Sequence, residues 1–116
     1  MKGVFVTGSN TGVGKTTVAI EIVRHLSQTR DVKVRKPVET NCELSEQNYI
    51  PKDAVALSAA CQQQETLKKV CPYCFEIEAS AEMASTESGE KLTLKDLVLA
   101  CKCDIDESFV VVVGAG

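Results

Sequence analysis

Gly8-Ser9-Asn10-Thr11-Gly12-Val13-Gly14-Lys15-Thr16 is the stretch on which the reading of this chain turns. Before it, Val4-Phe5-Val6 is a short β-prone run; after it, Ala19, Ile22, Val23 and Leu26 recur at helical spacing. The order is strand, glycine-rich loop, helix. Phosphate binding asks for backbone N–H groups turned toward one point, a lysine to meet the charge and a hydroxyl able to hold Mg²⁺. Gly8, Gly12, Gly14, Lys15 and Thr16 supply these, so the stretch reads as a P-loop. Its glycines are spaced one residue wider than in G-x-x-x-x-G-K-[ST]. A plain turn would explain the glycines, but not why Gly-Lys-Thr-Thr opens a helix directly after a strand.

Outward from the loop, Val32, Val34 and Val38 mark a second strand, which Pro37 should end or distort because it offers no N–H to a ladder. Residues 39–50 are polar and read as a loop. Pro51-Lys52-Asp53 looks like a helix start, with Ala54, Leu57, Ser58 and Cys61 on one face. Residues 71–75 and 79–89 read as irregular, after which Thr93 can cap a helix with Asp96 three residues on and Leu94, Leu97, Val98 and Cys101 as its apolar face. Phe109-Val110-Val111-Val112-Val113 is a continuous apolar run, as expected of a central parallel strand buried on both sides. This order predicts an α/β fold: a P-loop NTPase-like parallel sheet with flanking helices, in one domain over residues 1–116.

The 116 residues are 44% hydrophobic and 25% charged, ordinary for a compact chain. At this length folding hides roughly 65% of the unfolded surface, which is thin for a sheet covered on both faces. Thirteen Lys and Arg against 16 Asp and Glu leave a net charge of −3, with no basic run interleaved with aromatics. Nucleic acid is not an expected partner. No apolar stretch is long enough for a signal or a membrane span, so a cytoplasmic location is expected, with the six cysteines as thiols rather than disulfides.

The loop, read from Val6 to Thr16, resembles the signature of the dethiobiotin synthetase family, whose P-loop has this wider spacing. Lys36-Pro37-Val38-Glu39-Thr40 is similar to the family's second motif, Lys52-Asp53-Ala54-Val55-Ala56-Leu57 to its third, and Val112-Val113-Gly114-Ala115-Gly116 to its Glu-Gly-Ala-Gly strand end. The resemblance runs the whole chain, yet family members are much longer, so about half of the family fold is represented. It implies an ATP- and Mg²⁺-dependent ligase that joins CO₂ to 7,8-diaminononanoate and closes a ureido ring through a phosphorylated carbamate, and a homodimer in the full-length family. Carried over residue by residue, it assigns catalysis to Lys36 and Lys15. It assigns ATP binding to Gly12, Val13, Gly14, Lys15, Thr16, Thr17 and Asp53, substrate binding to Thr40 and Thr11, and Mg²⁺ to Thr16 and Asp53. Val113 departs from the pattern, because the family has a Glu there and an apolar side chain cannot coordinate a hard cation.

Each position also has a plainer reading. Lys36 could be a solvated strand-end lysine, Thr40 a turn former, and Asp53 a first-turn acid worth about 0.3–1 kcal/mol to its helix. Asp104, Asp106 and Glu107 read as a solvated turn at the far end of the last strand, and His25 as a surface residue. Cys71-Pro72-Tyr73-Cys74 resembles the redox motif of glutaredoxins, and with Cys101 and Cys103 would make four thiols for zinc. Against it, no clear strand precedes it and residues 75–78 alternate like a strand rather than opening a helix. A partition-type P-loop ATPase would carry an early second lysine where this chain has Asn10. A shortened or split homologue that binds nucleotide and needs a partner chain is the third reading.

Overall fold

The computed structural model describes residues 2–7, 14–40, 42–61, 65–76 and 93–114. Thr11, Gly12, Val13 and the small-residue stretch 79–89 lie outside the described residues. The strands are β1 (Lys2–Val6), β2 (Val32–Arg35), β3 (Val38–Glu39), β4 (Glu43–Ser45), β5 (Asn48–Ile50), β6 (Tyr73–Cys74) and β7 (Phe109–Val113). The helices are α1 (Lys15–Ser27), α2 (Lys52–Ala60), α3 (Leu67–Val70) and α4 (Leu94–Lys102).

The all-apolar run does form the central strand. β7 lies between β1 and β2, parallel to both, with Val4 opposite Val111 on one side and Val34 opposite it on the other. Alternation then divides its side chains. Val111 and Val113 join Ala19 and Val23 of α1 and Ala54 and Leu57 of α2, while Val110 and Val112 face the other way and meet Ile105. Burying each such valine contributes about 1.5–3 kcal/mol. Gly3 is tied to the same strand, since a Cβ there would collide with the Val110 carbonyl and side chain.

The two sheet faces are covered unequally. α1 and α2 close the first, whereas the second opens into an apolar groove of about 610 Å³ lined by Phe5, Leu97, Val98 and Val112 among others. Thr93 and Asp96 form the expected capping box on α4, each side chain bonding the other's backbone N–H. Its apolar face, however, is not buried: Leu94 is 78% and Val98 41% exposed.

The segment expected as a loop between residues 39 and 50 contains a hairpin, β4 paired antiparallel with β5 through Glu46 and Gln47, both at positive φ. Two successive positive-φ residues match the right-handed twist of the strands, a turn usually marked by Asn or Gly and therefore hidden in Glu-Gln. Residues 71–75 are likewise more ordered than their composition suggests, since β6 pairs parallel with β3. Asp104 and Asp106 sit in the far-end turn as expected, engaged by Lys69 and Lys33.

Arg35, on the face opposite Val34, is fully buried. Its guanidinium grips Glu65 through two bonds of 2.7 and 3.0 Å and donates to the Cys103 carbonyl at 2.6 Å, tying the segment before α3 to the end of α4. Glu65→Ala would strand that buried cation and should cost about 3 kcal/mol in a urea melt; a loss below about 1 kcal/mol would mean that the pair carries little of the fold.

Candidate functional site

Parallel strands put their carboxyl ends at one edge of a sheet, and in open α/β sheets that edge is where ligands sit. Here the ends of β1, β2 and β7 meet the amino termini of α1 and α2. Gly14, at φ +80°, turns the chain into α1 in a conformation that side-chain-bearing residues rarely adopt. Lys15 and Thr16 follow at once in the first turn.

Four side chains converge there. Asp53, in the first turn of α2, accepts a hydrogen bond from the Thr16 hydroxyl at 3.0 Å. The same carboxylate oxygen lies 3.7 Å from the Lys36 ammonium, which also donates to the Gly114 carbonyl at 3.1 Å. Lys36 is only 3% exposed, so it is no solvated strand-end lysine. Lys15 is 6% exposed and its Nζ has no hydrogen-bond partner among the described residues. Burial holds the Lys15 ammonium below its ordinary pKa, and the nearby Lys36 charge adds to that effect while Asp53 opposes it. Two buried cations facing one aspartate make an electropositive pocket, and the unpartnered Nζ is an observation in favour of an anion there.

The other expected positions divide. Thr40 is buried just beyond β3, and Thr17 is exposed on the outer side of α1. Gly12, Val13 and Thr11 lie outside the described residues. Val113 is fully buried in the α1-side core, so the last strand brings no carboxylate to the edge. For a divalent cation the Thr16 hydroxyl and the Asp53 carboxylate are hard oxygen donors already side by side. Mg²⁺ commonly takes one or two protein oxygens and completes its shell with phosphate and water, so this donor set suits it. Among the described residues no three His, Cys, Asp or Glu side chains cluster for a metal.

Glu39 was not singled out by the sequence, yet it organises the site. Its buried carboxylate accepts from the backbone N–H groups of Asp53 and Ala54, both at 3.0 Å. This caps α2 from a distance of 14 residues and fixes Asp53 relative to β3. The only sequence signal was an acid next to Pro37-Val38, where a β-strand end gives no hint of its target. Burial pushes the Glu39 carboxyl above its ordinary value, against the two amides that favour its charged form.

The sequence matches an AAA domain family over residues 2–116, and the chain belongs to that family. Within it, the similarity is to enzymes of biotin synthesis. Over all 116 residues the chain is 53% identical to the ATP-dependent dethiobiotin synthetase BioD of Ruthia magnifica subsp. Calyptogena magnifica, covering 53% of that protein. It is 49% identical to the corresponding synthetase of Vesicomyosocius okutanii subsp. Calyptogena okutanii, covering 52% of it. Against that of Anaeromyxobacter dehalogenans strain 2CP-1 it is 36% identical over 118 aligned positions, covering 51%. The chain thus spans about half the length of the curated relatives it matches. No helix among the described residues is long and apolar enough to cross a membrane.

Glu39→Ala should lower stability at neutral pH by about 2 kcal/mol, because two amides at the α2 terminus lose their acceptor. The pH dependence has a definite sign. A carboxyl whose folded pKa is raised contributes most below its unfolded value of 4.5 and progressively less as pH rises through the raised value. Chemical denaturation across that window should therefore show a downward slope that Glu39→Gln abolishes; identical slopes would remove Glu39 as its source.

Proposed function

We propose that this chain is the nucleotide-binding part of an ATP-dependent dethiobiotin synthetase, a ligase acting on 7,8-diaminononanoate and CO₂ in the cytoplasm. The observation that carries the reading is the buried, unpartnered Lys15 ammonium beside Lys36 at the start of α1. A helix amino terminus already favours anions, and a second cation adjacent to it makes sense when a polyphosphate is present to offset both. The names of the relatives supply the reaction.

In this reading residues 12–17 and Asp53 bind ATP, and Lys15 meets the β- and γ-phosphates. Thr16 and Asp53 would hold Mg²⁺, which neutralises phosphate charge when bound. The diamine sits along residues 36–40, contacted by Thr40 and Thr11. One amine adds to CO₂ to give a carbamate, whose oxygen attacks the γ-phosphorus as ADP leaves. The second amine then attacks the carbamoyl carbon, and inorganic phosphate departs as the ring closes. Lys36 lies where the carbamate oxygens would gather negative charge, and its bonds to Gly114 and Asp53 hold its ammonium in position beforehand. Pre-oriented charge of this kind is the main source of rate in phosphoryl transfer. A homodimer, as implied for the full-length family, would place the diamine at the subunit junction.

Two measurements test this. ADP release by the protein carrying residues 1–116 should depend on the diamine, and Lys36→Ala should reduce that turnover by about 10²–10³-fold while leaving nucleotide affinity within about threefold. Diamine-independent ATP hydrolysis would instead favour a simple P-loop ATPase. Nucleotide binding should also take up protons, because a phosphate raises the depressed Lys15 pKa. The sign follows from linkage: between the free and bound values, the complex holds more protons than the free protein. Calorimetry in buffers of different ionisation enthalpy, stepped through the alkaline range below the ordinary lysine value of 10.5, should register proton uptake on binding; release, or no exchange anywhere in that range, would take Lys15 out of the phosphate site.

A further inference from the structure

The Cys71-Pro72-Tyr73-Cys74 segment is not used by the reaction above, yet it is stitched to the segment proposed to hold the diamine. Backbone bonds run from Lys36 N–H to the Val70 carbonyl at 2.8 Å and from Tyr73 N–H to that of Pro37 at 3.1 Å. Phe75 N–H donates to the Glu39 carbonyl at 2.8 Å, and Cys42 N–H to that of Phe75 at 2.9 Å. In this frame the Cys71 and Cys74 sulfurs lie 3.7 Å apart.

We propose that Cys71 and Cys74 form a reversible intramolecular disulfide by exchange with a small-molecule disulfide, and that this covalent change is felt at Lys36 and Cys42. The inference does not depend on the ligase reading. A disulfide needs sulfurs about 2.05 Å apart, so the observed pair has under two ångströms to close, within reach of a side-chain rotation and a small backbone adjustment. The two thiols are also unequal. Cys71 is buried, whereas Cys74 is only half-buried and open to a reagent. Donation from the Cys71 thiol lowers the Cys74 pKa, and Lys68 assists. Cys71 itself is pushed up by that bond and by burial. Cys42, the third thiol nearby, is pushed up to about 12 by burial and the Glu39 charge, which keeps it a poor nucleophile.

The exchange balances. The Cys74 thiolate attacks one sulfur of RS–SR, forming a mixed disulfide and expelling RS⁻, which takes up a proton. The Cys71 thiol then loses its proton, and its sulfur attacks the Cys74 sulfur. The second RS⁻ leaves, also to be protonated; the pair is oxidised by two electrons as RS–SR is reduced to two RSH.

The test uses the full reduced chain with oxidised glutathione. Intact mass should fall by about 2 Da, for two hydrogens, with two fewer free thiols and a peptide linked between Cys71 and Cys74. Cys74→Ser should abolish that mass loss and Cys103→Ser should leave it, which separates the pair from the exposed Cys103 without relying on the buried Cys71. Amide exchange at Lys36 and Cys42 should slow by at least about threefold on oxidation and recover with dithiol reductant. Glutathione adducts on Cys103 with no internal bridge, or a bridge from Cys42 to Cys74, would overturn the assignment. Unchanged exchange at Lys36 and Cys42 would overturn the coupling.

Discussion

The parallel pairing of β7 with both of its neighbours is the constraint from which the rest follows. Three strands that all run one way cannot be joined by hairpins, so the chain must return across a face each time, and here α1 and α2 accompany those returns. Both helices then begin near the edge where the strands end. Their positive dipole ends, Gly14-Lys15 in one and Pro51-Asp53 in the other, come together as a consequence of topology rather than of local sequence. The valines of β7 make that arrangement stable because both faces of the strand have something to bury.

The convergence also sets up an electrostatic problem. Lys15 and Lys36 are both buried, and Asp53 is the carboxylate within reach of Lys36. Burial of an unpartnered ammonium is costly, and the depressed Lys15 pKa expresses that cost. The fold offsets it elsewhere: Glu39 closes the α2 terminus with two hydrogen bonds, and Arg35 and Glu65 pair through two more on the far face. Strain of this kind is tolerated at binding sites because a ligand of opposite charge relieves it.

Much of this was legible in the sequence, for reasons that can be stated. Val110 to Val113 announce a central strand because only a strand covered on both faces can be apolar at every position. Thr93 and Asp96 announce a helix start because a capping box is local. The family motifs placed Lys36 and Asp53 in one site without geometry. What stayed hidden was non-local. Glu39 caps a helix that begins 13 residues later, and nothing around it encodes that target. Glu46-Gln47 makes a positive-φ turn without the usual residues, and β3 and β6 are too short to carry an alternation. The apolar stripe of α4 was read correctly as apolar, but periodicity tells which residues face together and not whether anything covers them.

Val113 is where sequence and structure bear most directly on one another. Its position turns the side chain toward Ala19 and Val23, into the core just beneath the P-loop helix. A carboxylate in that apolar core would need a buried cation as its partner. With valine in place, Lys36 donates to the Gly114 carbonyl and leans on Asp53. The exchange of one acid for a buried methyl pair therefore gains core packing and leaves the pocket one negative charge poorer. In the proposed reading, Lys15 and Lys36 are then left to face phosphate, with Thr16 and Asp53 as the oxygens that would meet a cation.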